Sequence, residues 1–428
     1  MLKENGAGHK ALGMQEHSSW FENDVRERFL RYVQIWTTSD RHSKTKPSSQ
    51  NQFELARLLM SELGEFGVQD ISLTDACYVI ARIPATPGCE HVPSVGFLAH
   101  LDTAPDESGE NVKPRVHENY NGGVIELEAG TLLDPEEYPA LREYQGQTII
   151  SSDGTTLLGA DNKAGISAIM TALRYIYENP EVPHGPFEVV FTSDEEVGRG
   201  TEDLPLAELN SEFCYTIDGG DEGSIEYECF NAYSATVKFT GHVIHPGTAR
   251  GRLVNAVTMC GTFLSMLPRN ESPEATDGRF GFYCPVEARA DFGSAELHLL
   301  LRDFETSELE RRVEFLHTAA RSVEQSFPGG KVEVEISAQY LNMRTAIEQR
   351  PEIIEAAAHA VRSTGMEPVF HSIRGGTDGA RLTEMGVPTP NIFCGAQNMH
   401  GRQEWVAVRS MARAAKTVVN ILGELRSR

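Results

Sequence analysis

The stretch FTSDEEVG at 191–198 sets three carboxylates side by side, Asp194, Glu195 and Glu196, directly after the apolar run 187–191. Acids crowded at the end of a buried strand repel one another and tend to hold a proton instead of ionising. A cation among them would remove that repulsion and leave one of the two glutamates free for proton transfer.

Other stretches supply matching partners. His100 and Asp102 in LAHLDT, Asp161 in LGADNKAG, Asp218 in TIDGG and His400 in GAQNMHGRQEW each fall where an apolar strand ends or where a loop passes into a helix beside one. In open α/β sheets ligands bind outside the carboxyl ends of the strands. Two imidazoles with several carboxylates form a nitrogen-and-oxygen donor set suited to zinc, manganese or cobalt. His100 and Asp102 stand two apart on a strand and share a face. Asp102 is therefore expected to hold the second ring nitrogen of His100 and not to bind the metal itself. Singly, each piece has a plain explanation: a strand end, a solvated acidic run, a helix cap at Asp161 or Asn162, a turn, a surface histidine. Their joint occurrence at successive strand ends points to a metal site. A calcium buffer is a poor alternative, because no EF-hand-type loop is present and imidazoles are wrong ligands for calcium.

The elements that must position these residues alternate. Residues 51–66 carry apolar side chains at helical spacing, 76–84 and 95–103 read as strands, 164–179 as a helix, and 187–193 and 213–218 as strands. Residues 104–150 are polar and turn-rich, with two short strands expected. This order implies an α/β core with a mostly parallel sheet. After about residue 225 the pattern becomes strand 226–241, helix 254–267, strands 281–290 and 294–304, helix 306–327 and strand 330–341. That is the β-α-β-β-α-β order of a split βαβ, α+β domain, here inserted into the first. The expected organisation is a loose extension over 1–17, a catalytic domain over 18–225 and 343–428, and an inserted lid over 226–342. Hinges are expected near 222–226 and 340–344.

Composition bounds the function. The 428 residues suffice for about two or three domains. A formal net charge of -24 argues against a nucleic acid or an anionic membrane surface as partner. No stretch approaches a membrane span or the apolar core of a signal peptide. The seven cysteines are scattered without a CxxC pair, which favours a reducing, cytoplasmic setting over a disulfide framework.

The motifs FLAHLDTAPD, LGADNKAGIS, FTSDEEVGRGT, YTIDGG, HPGTARG, LLLRDF, RGGTDGARL and PNIFCGAQNMHG resemble, in order, those of the two-zinc exopeptidase family that includes carboxypeptidase G and aminoacylase. They are most similar to its peptidase T branch, the tripeptide aminopeptidases. The resemblance runs from about residue 20 to 425. It implies a zinc-exopeptidase-like catalytic domain with a lid and two zinc ions per subunit, with cobalt or manganese as substitutes. Its substrate would be a small peptide with a free N-terminus, and a homodimer is possible. It further implies that His100 and Asp218 bind one metal, Glu196 and His400 the other, and that Asp161 bridges them. Glu195 would be the general base and acid, releasing the N-terminal residue through attack of a metal-bound water, and Asp102 would orient His100. His245, Arg302 and Asn255 in the lid would meet the substrate, and Arg374 would clamp its carboxylate in bidentate fashion. Without the resemblance, His245 reads equally well as a turn residue and the two arginines as salt-bridge partners. Asn162 departs from the family, which often has a second aspartate there. Rival readings are a dipeptidase or N-acyl amino acid deacylase of the same family, or a catalytically silent binder.

Overall fold

The computed structural model describes the backbone of residues 5–427 and the side chains of 19–427. The extension expected over 1–17 falls in part on residues 1–4, outside the described residues; from Asn5 the backbone is helical, in Asn5–Tyr32.

By contact the chain divides into two compact units. The first runs to Tyr227 and takes up again at Ala346–His371 and from Thr377 onward; the second comprises Glu228–Thr345 with Ser372–Gly376.

Among the described residues the main sheet of the first unit has eight strands. Its centre is parallel. Val95–His100 lies between Phe187–Thr192 and Phe213–Gly219, with Val95 opposite both Phe187 and Phe213, and Asn391–Phe393 continues the parallel set beyond Phe213–Gly219. Val95–His100 and Phe187–Thr192 are buried throughout, as strands covered on both faces require. The flanks are antiparallel: Val79–Ile83 pairs with Phe187–Thr192, and Ser224–Cys229 with Asn391–Phe393. The sheet is thus mixed, with the expected parallel order at its centre.

Helices cover the sheet. In Ala160–Glu178 the residues Ile166, Ile169, Met170, Leu173 and Ile176 are buried in the main core beside Phe97, Val189 and Tyr215. Gly165 is required there, because a Cβ would stand 1.9 Å from the Ile217 carbonyl oxygen. Only a bare backbone lets the start of this helix lie flat on the strand that carries Asp218. Residues 104–150 form short strands and a small core of their own, in which Tyr120, Leu133, Leu141 and Tyr144 surround the fully buried Trp405.

The second unit is a four-stranded antiparallel sheet in the order Phe282–Ala290, Ser294–Asp303, Asn231–Thr240, Lys331–Tyr340. Helices Ala256–Met266 and Thr306–Ser326 pack on it, burying Met259, Phe263, Leu316 and Val323 against Val237, Phe239, Leu297 and Leu299. Burial alternates residue by residue along Ser294–Asp303, one face toward these helices.

Candidate metal centre

Strand register brings the site together. His100 ends its strand opposite Thr192, the last residue of the neighbouring strand, so the chain beyond Thr192 enters the same rim as His100. The next strand delivers Asp218 to that rim. Asp161 enters from the start of its helix, across a cis peptide bond to Asn162. His400 comes from a tight turn with φ +63.

Two groups of donors result, His100 with Asp161 and Asp218, and Asp161 with Glu196 and His400. Asp161 is common to both. Its Oδ1 lies 2.9 Å from His100 Nε2, and its Oδ2 lies 3.5 Å from His400 Nε2. His400 Nε2 stands 2.9 Å from Glu196 Oε2, and His100 Nε2 stands 3.5 Å from Asp218 Oδ1.

The acids at 194–196 have different fates. Asp194 is fully buried, and its carboxylate accepts the N–H and hydroxyl of Ser48 and the amide of Gln52, with Lys46 Nζ at 3.5 Å. It therefore belongs to the scaffold. Glu195 and Glu196 begin a short 3₁₀ turn whose first two N–H groups donate to Asp102 Oδ1 and Oδ2 at 3.0 and 3.2 Å. Asp102 also faces His100 Nδ1, through its main-chain carbonyl at 3.0 Å and its carboxylate at 3.5 Å.

Burial and like charge perturb the rim. Burial drives Glu195 well above the ordinary carboxyl range. Burial, reinforced by the charge on Asp161, pushes Asp218 up to about 8 and Glu196 up to about 7. Burial opposes the charged form of Asp161 too, but hydrogen bonds from His100 and His400 outweigh it and hold that carboxyl low. Those same contacts, with Asp161 and Glu196, lift His400 to about 11.

The residues fit a pair of cations. Glu196 Oε1 and Asp218 Oδ1 are buried without a hydrogen bond. Such an atom costs about 1–3 kcal/mol unless something compensates it. Both residues belong to the donor groups, and the donors are imidazole nitrogens and carboxylate oxygens.

Residues that sequence reasoning did not single out complete the rim. Glu404 accepts the N–H groups of Leu158, Gly159 and Asp161. Asn391 accepts the Asp218 N–H at 3.1 Å. Asp106 lies 3.4 Å from His400 Nδ1. None of these three has a spacing signal in the sequence. Asn162, which the sequence did offer as a helix cap, turns its side-chain oxygen to the Gly165 N–H at 3.2 Å, as a cap inside its own helix.

The remaining expected site residues lie in the second unit. His245 opens the turn Pro246–Thr248, its Nδ1 accepting the Gly247 N–H at 3.1 Å. Asn255 caps helix Ala256–Met266 by accepting the Val257 N–H at 2.9 Å. Arg302 donates from Nη1 to the carbonyls of Tyr233 and Leu301. Arg374 donates to the carbonyls of Gly278, Phe280 and Thr276 and to the Thr276 hydroxyl, and stacks over Phe230 and Phe282. Both of its terminal nitrogens are thus engaged.

Residues 153–424 match the profile of peptidase family M20/M25/M40. The chain belongs to that family. Peptidase T of Shouchella clausii (strain KSM-K16) is 46% identical over 402 residues, covering 94% of this chain and 98% of the relative. Peptidase T of Geobacillus thermodenitrificans (strain NG80-2) is 43% identical over 403 residues, with the same coverage. These likenesses place the chain in the peptidase T branch of the M20 family, among hydrolases of the peptidase class. Its fold is that of the aminopeptidase PepT from Bacillus cereus, at a TM-score of 0.74 and 22% identity over 94% of this chain and 98% of the other. A tripeptidase from Staphylococcus aureus gives a TM-score of 0.75 at 21% identity, over 95% and 99%. The family includes a dinuclear metal-binding peptidase from Bacillus subtilis, similar in fold at a TM-score of 0.65 and 13% identity over 94% and 97%. Among the described residues no helix is long and apolar enough to cross a membrane.

Proposed function

We propose that the chain is a metal-dependent aminopeptidase that releases the N-terminal residue of tripeptides. The observation that carries this reading is one carboxylate, Asp161, shared by two donor groups beside a half-buried glutamate, Glu195, in a chain 43% identical to a peptidase T over nearly its whole length. His100 and Asp218 would hold one cation and Glu196 and His400 the second, with Asp161 a member of both donor groups; zinc is the expected metal, with cobalt or manganese as substitutes. Two such cations supply Lewis-acid polarisation of the peptide carbonyl and activation of a water.

The chain's own groups do the rest. Glu195 takes the proton of the attacking water on its carboxylate and later delivers it to the leaving amine. A carboxyl with a raised proton affinity suits both steps. Asp102 fixes the 3₁₀ turn so that Glu195 and Glu196 keep separate tasks. We assign His245 to the developing oxyanion and Arg302 and Asn255 to the substrate. Arg374 is assigned to the substrate carboxylate, a role in which its terminal nitrogens must exchange main-chain carbonyls for the ligand. A cytoplasmic setting is supported by the seven free cysteines, most of them buried.

The test is hydrolysis of a tripeptide, the matching dipeptide, the N-acetylated tripeptide and an N-acetyl amino acid, each with added zinc, cobalt or manganese and after chelation. Fast, chelator-sensitive release of the first residue from the free tripeptide alone supports the reading. Preference for the dipeptide or the acyl amino acid keeps the metal site and overturns the substrate. Bound metal without cleavage of any of them identifies a silent binder.

A further inference from the structure

We propose that Glu404 is a positioning residue for the shared ligand: by gathering the backbone N–H groups that lead into Asp161, it fixes that carboxylate before any metal arrives. The inference rests on the metal-site reading above. Glu404 Oε2 accepts the N–H of Leu158 at 2.8 Å and of Gly159 at 2.7 Å, while Oε1 accepts that of Asp161 at 2.9 Å. The residue is only 1% exposed. Gly159 adopts φ +80, which lets neighbouring N–H groups turn toward one acceptor, as in other anion-binding nests.

Glu404 is itself held. The next residue starts the strand Trp405–Ala407, paired with Ile149–Ser151, and Trp405 is wholly buried with its ring edge-on to Tyr144 at 4.9 Å. The turn that carries His400 is closed by a hydrogen bond from the Glu404 N–H to the Gly401 carbonyl at 3.2 Å. One short segment therefore bears on Asp161 twice. His400 meets its carboxylate, and Glu404 meets its main chain. The anchorage is also chemically exacting. All three groups facing Glu404 are donors, so an amide in its place must set an N–H against an N–H at one end.

Cobalt(II) titration of the full-length chain, followed by visible absorption, compares the wild type with E404Q and a control, E188Q. Glu188 is also buried and also accepts backbone N–H groups, those of Asn210 and Ser211. It pairs with Gly96, four residues before His100 along the strand, or ~13 Å away. The expected result is a cobalt affinity about 10–100-fold weaker in E404Q, with an altered ligand-field spectrum, and wild-type titration in E188Q. Wild-type affinity and spectrum in E404Q, or equal losses in the two variants, overturn the proposal. Hydrogen exchange on the wild type decides the matter should E404Q not fold. Peptides spanning 158–161 are expected to exchange slowly in the metal-free protein. Rapid exchange that slows only when cobalt is added overturns the proposal. A wild type that binds no cobalt overturns the metal-site reading and this inference together, whereas an unaltered E404Q beside a cobalt-binding wild type overturns this inference alone.

Discussion

Asp102 Oδ1 accepts the backbone N–H of Glu195 at 3.0 Å, while the Asp102 main-chain carbonyl faces His100 Nδ1 at the same distance. One buried residue thus ties the ring of an expected metal ligand to the backbone of the expected base. Substitution D102N keeps the size but turns an N–H2 group toward one of the two donating amides. It should lower kcat for a tripeptide by about 10–100-fold at saturating metal, while leaving bound metal near the wild-type level. Steady-state kinetics alongside metal analysis checks this.

Glu195 and Glu196 are neighbours to which the proposal gives separable tasks. E195Q should retain its metal and lose kcat by about 10²–10⁴-fold, because the proton acceptor is gone while the donors of both groups remain. E196Q should lose metal before anything else. Metal content of the two purified variants, read beside their activities, distinguishes them. Equal metal loss in both would sink the division of labour.

Chelation should destabilise as well as inactivate. Asp161, Glu196 and Asp218 crowd one rim, and bound cations stabilise the folded chain by mass action, by about 2.7 kcal/mol at free metal a hundredfold above Kd. Thermal melts with added zinc and after chelation should differ, the chelated protein melting lower. Identical melts would count against a bound metal in the folded state.

In the second unit, Glu228 ties together segments far apart in sequence. It accepts hydrogen bonds from Arg279, Ser372 and Arg344. Burial favours its neutral form, but these donors outweigh burial and hold its carboxyl at about 2, against an ordinary value of 4.5. The stabilisation is fully present above 4.5 and is lost as pH falls through 4.5 toward 2. E228Q should therefore cost about 2 kcal/mol near neutral pH. The gap in Tm between E228Q and the wild type should narrow in melts recorded below pH 4.5. A gap that stays constant with pH would mean that the charge of Glu228 is not what stabilises.

Arg374 offers a choice between two measurable roles. Its guanidinium organises 276–280 and lies over Phe230 and Phe282. R374K retains the charge but loses the planar fork. Should the substrate carboxylate be its partner, KM for tripeptides rises about tenfold or more while 276–280 keeps its proteolytic resistance. Should the loop be its partner, limited proteolysis of 276–280 speeds up first.

The parallel centre was legible because residues 95–99 are an unbroken apolar run and 187–191 are apolar apart from Glu188, and helix Ala160–Glu178 because its apolar residues recur at helical spacing. The β-α-β-β-α-β order of the second unit was legible because strand-like and helix-like stretches follow one another from 226 to 341. The strands within 104–150 were only partly legible, since pieces of two or three residues such as Ile125–Glu126 and Leu132–Leu133 are too short to carry a period. The members of the two candidate donor groups stood out in the sequence because they lie at or just past strand ends or at a helix start. Glu404 could not, because its partner Leu158 is 246 residues away and nothing in RQEW marks an acid that faces inward. The fate of Asp194 likewise depends on Ser48, 146 residues distant, so three adjacent letters gave no hint that one of them belongs to the scaffold.

The turn from His400 to Glu404 is a loop on the rim of an enzyme, the kind of place where lineages ordinarily add and drop residues freely. Here both ends address the same aspartate, one at its side chain and one at its amide. Gly401, Arg402 and Gln403 set the spacing between those two ends, so their number matters as well as their contacts. A single inserted or deleted residue would leave either the imidazole or the carboxylate out of reach. The length of this turn should therefore be fixed wherever the chemistry survives, and a change of length should mark descendants that have abandoned it.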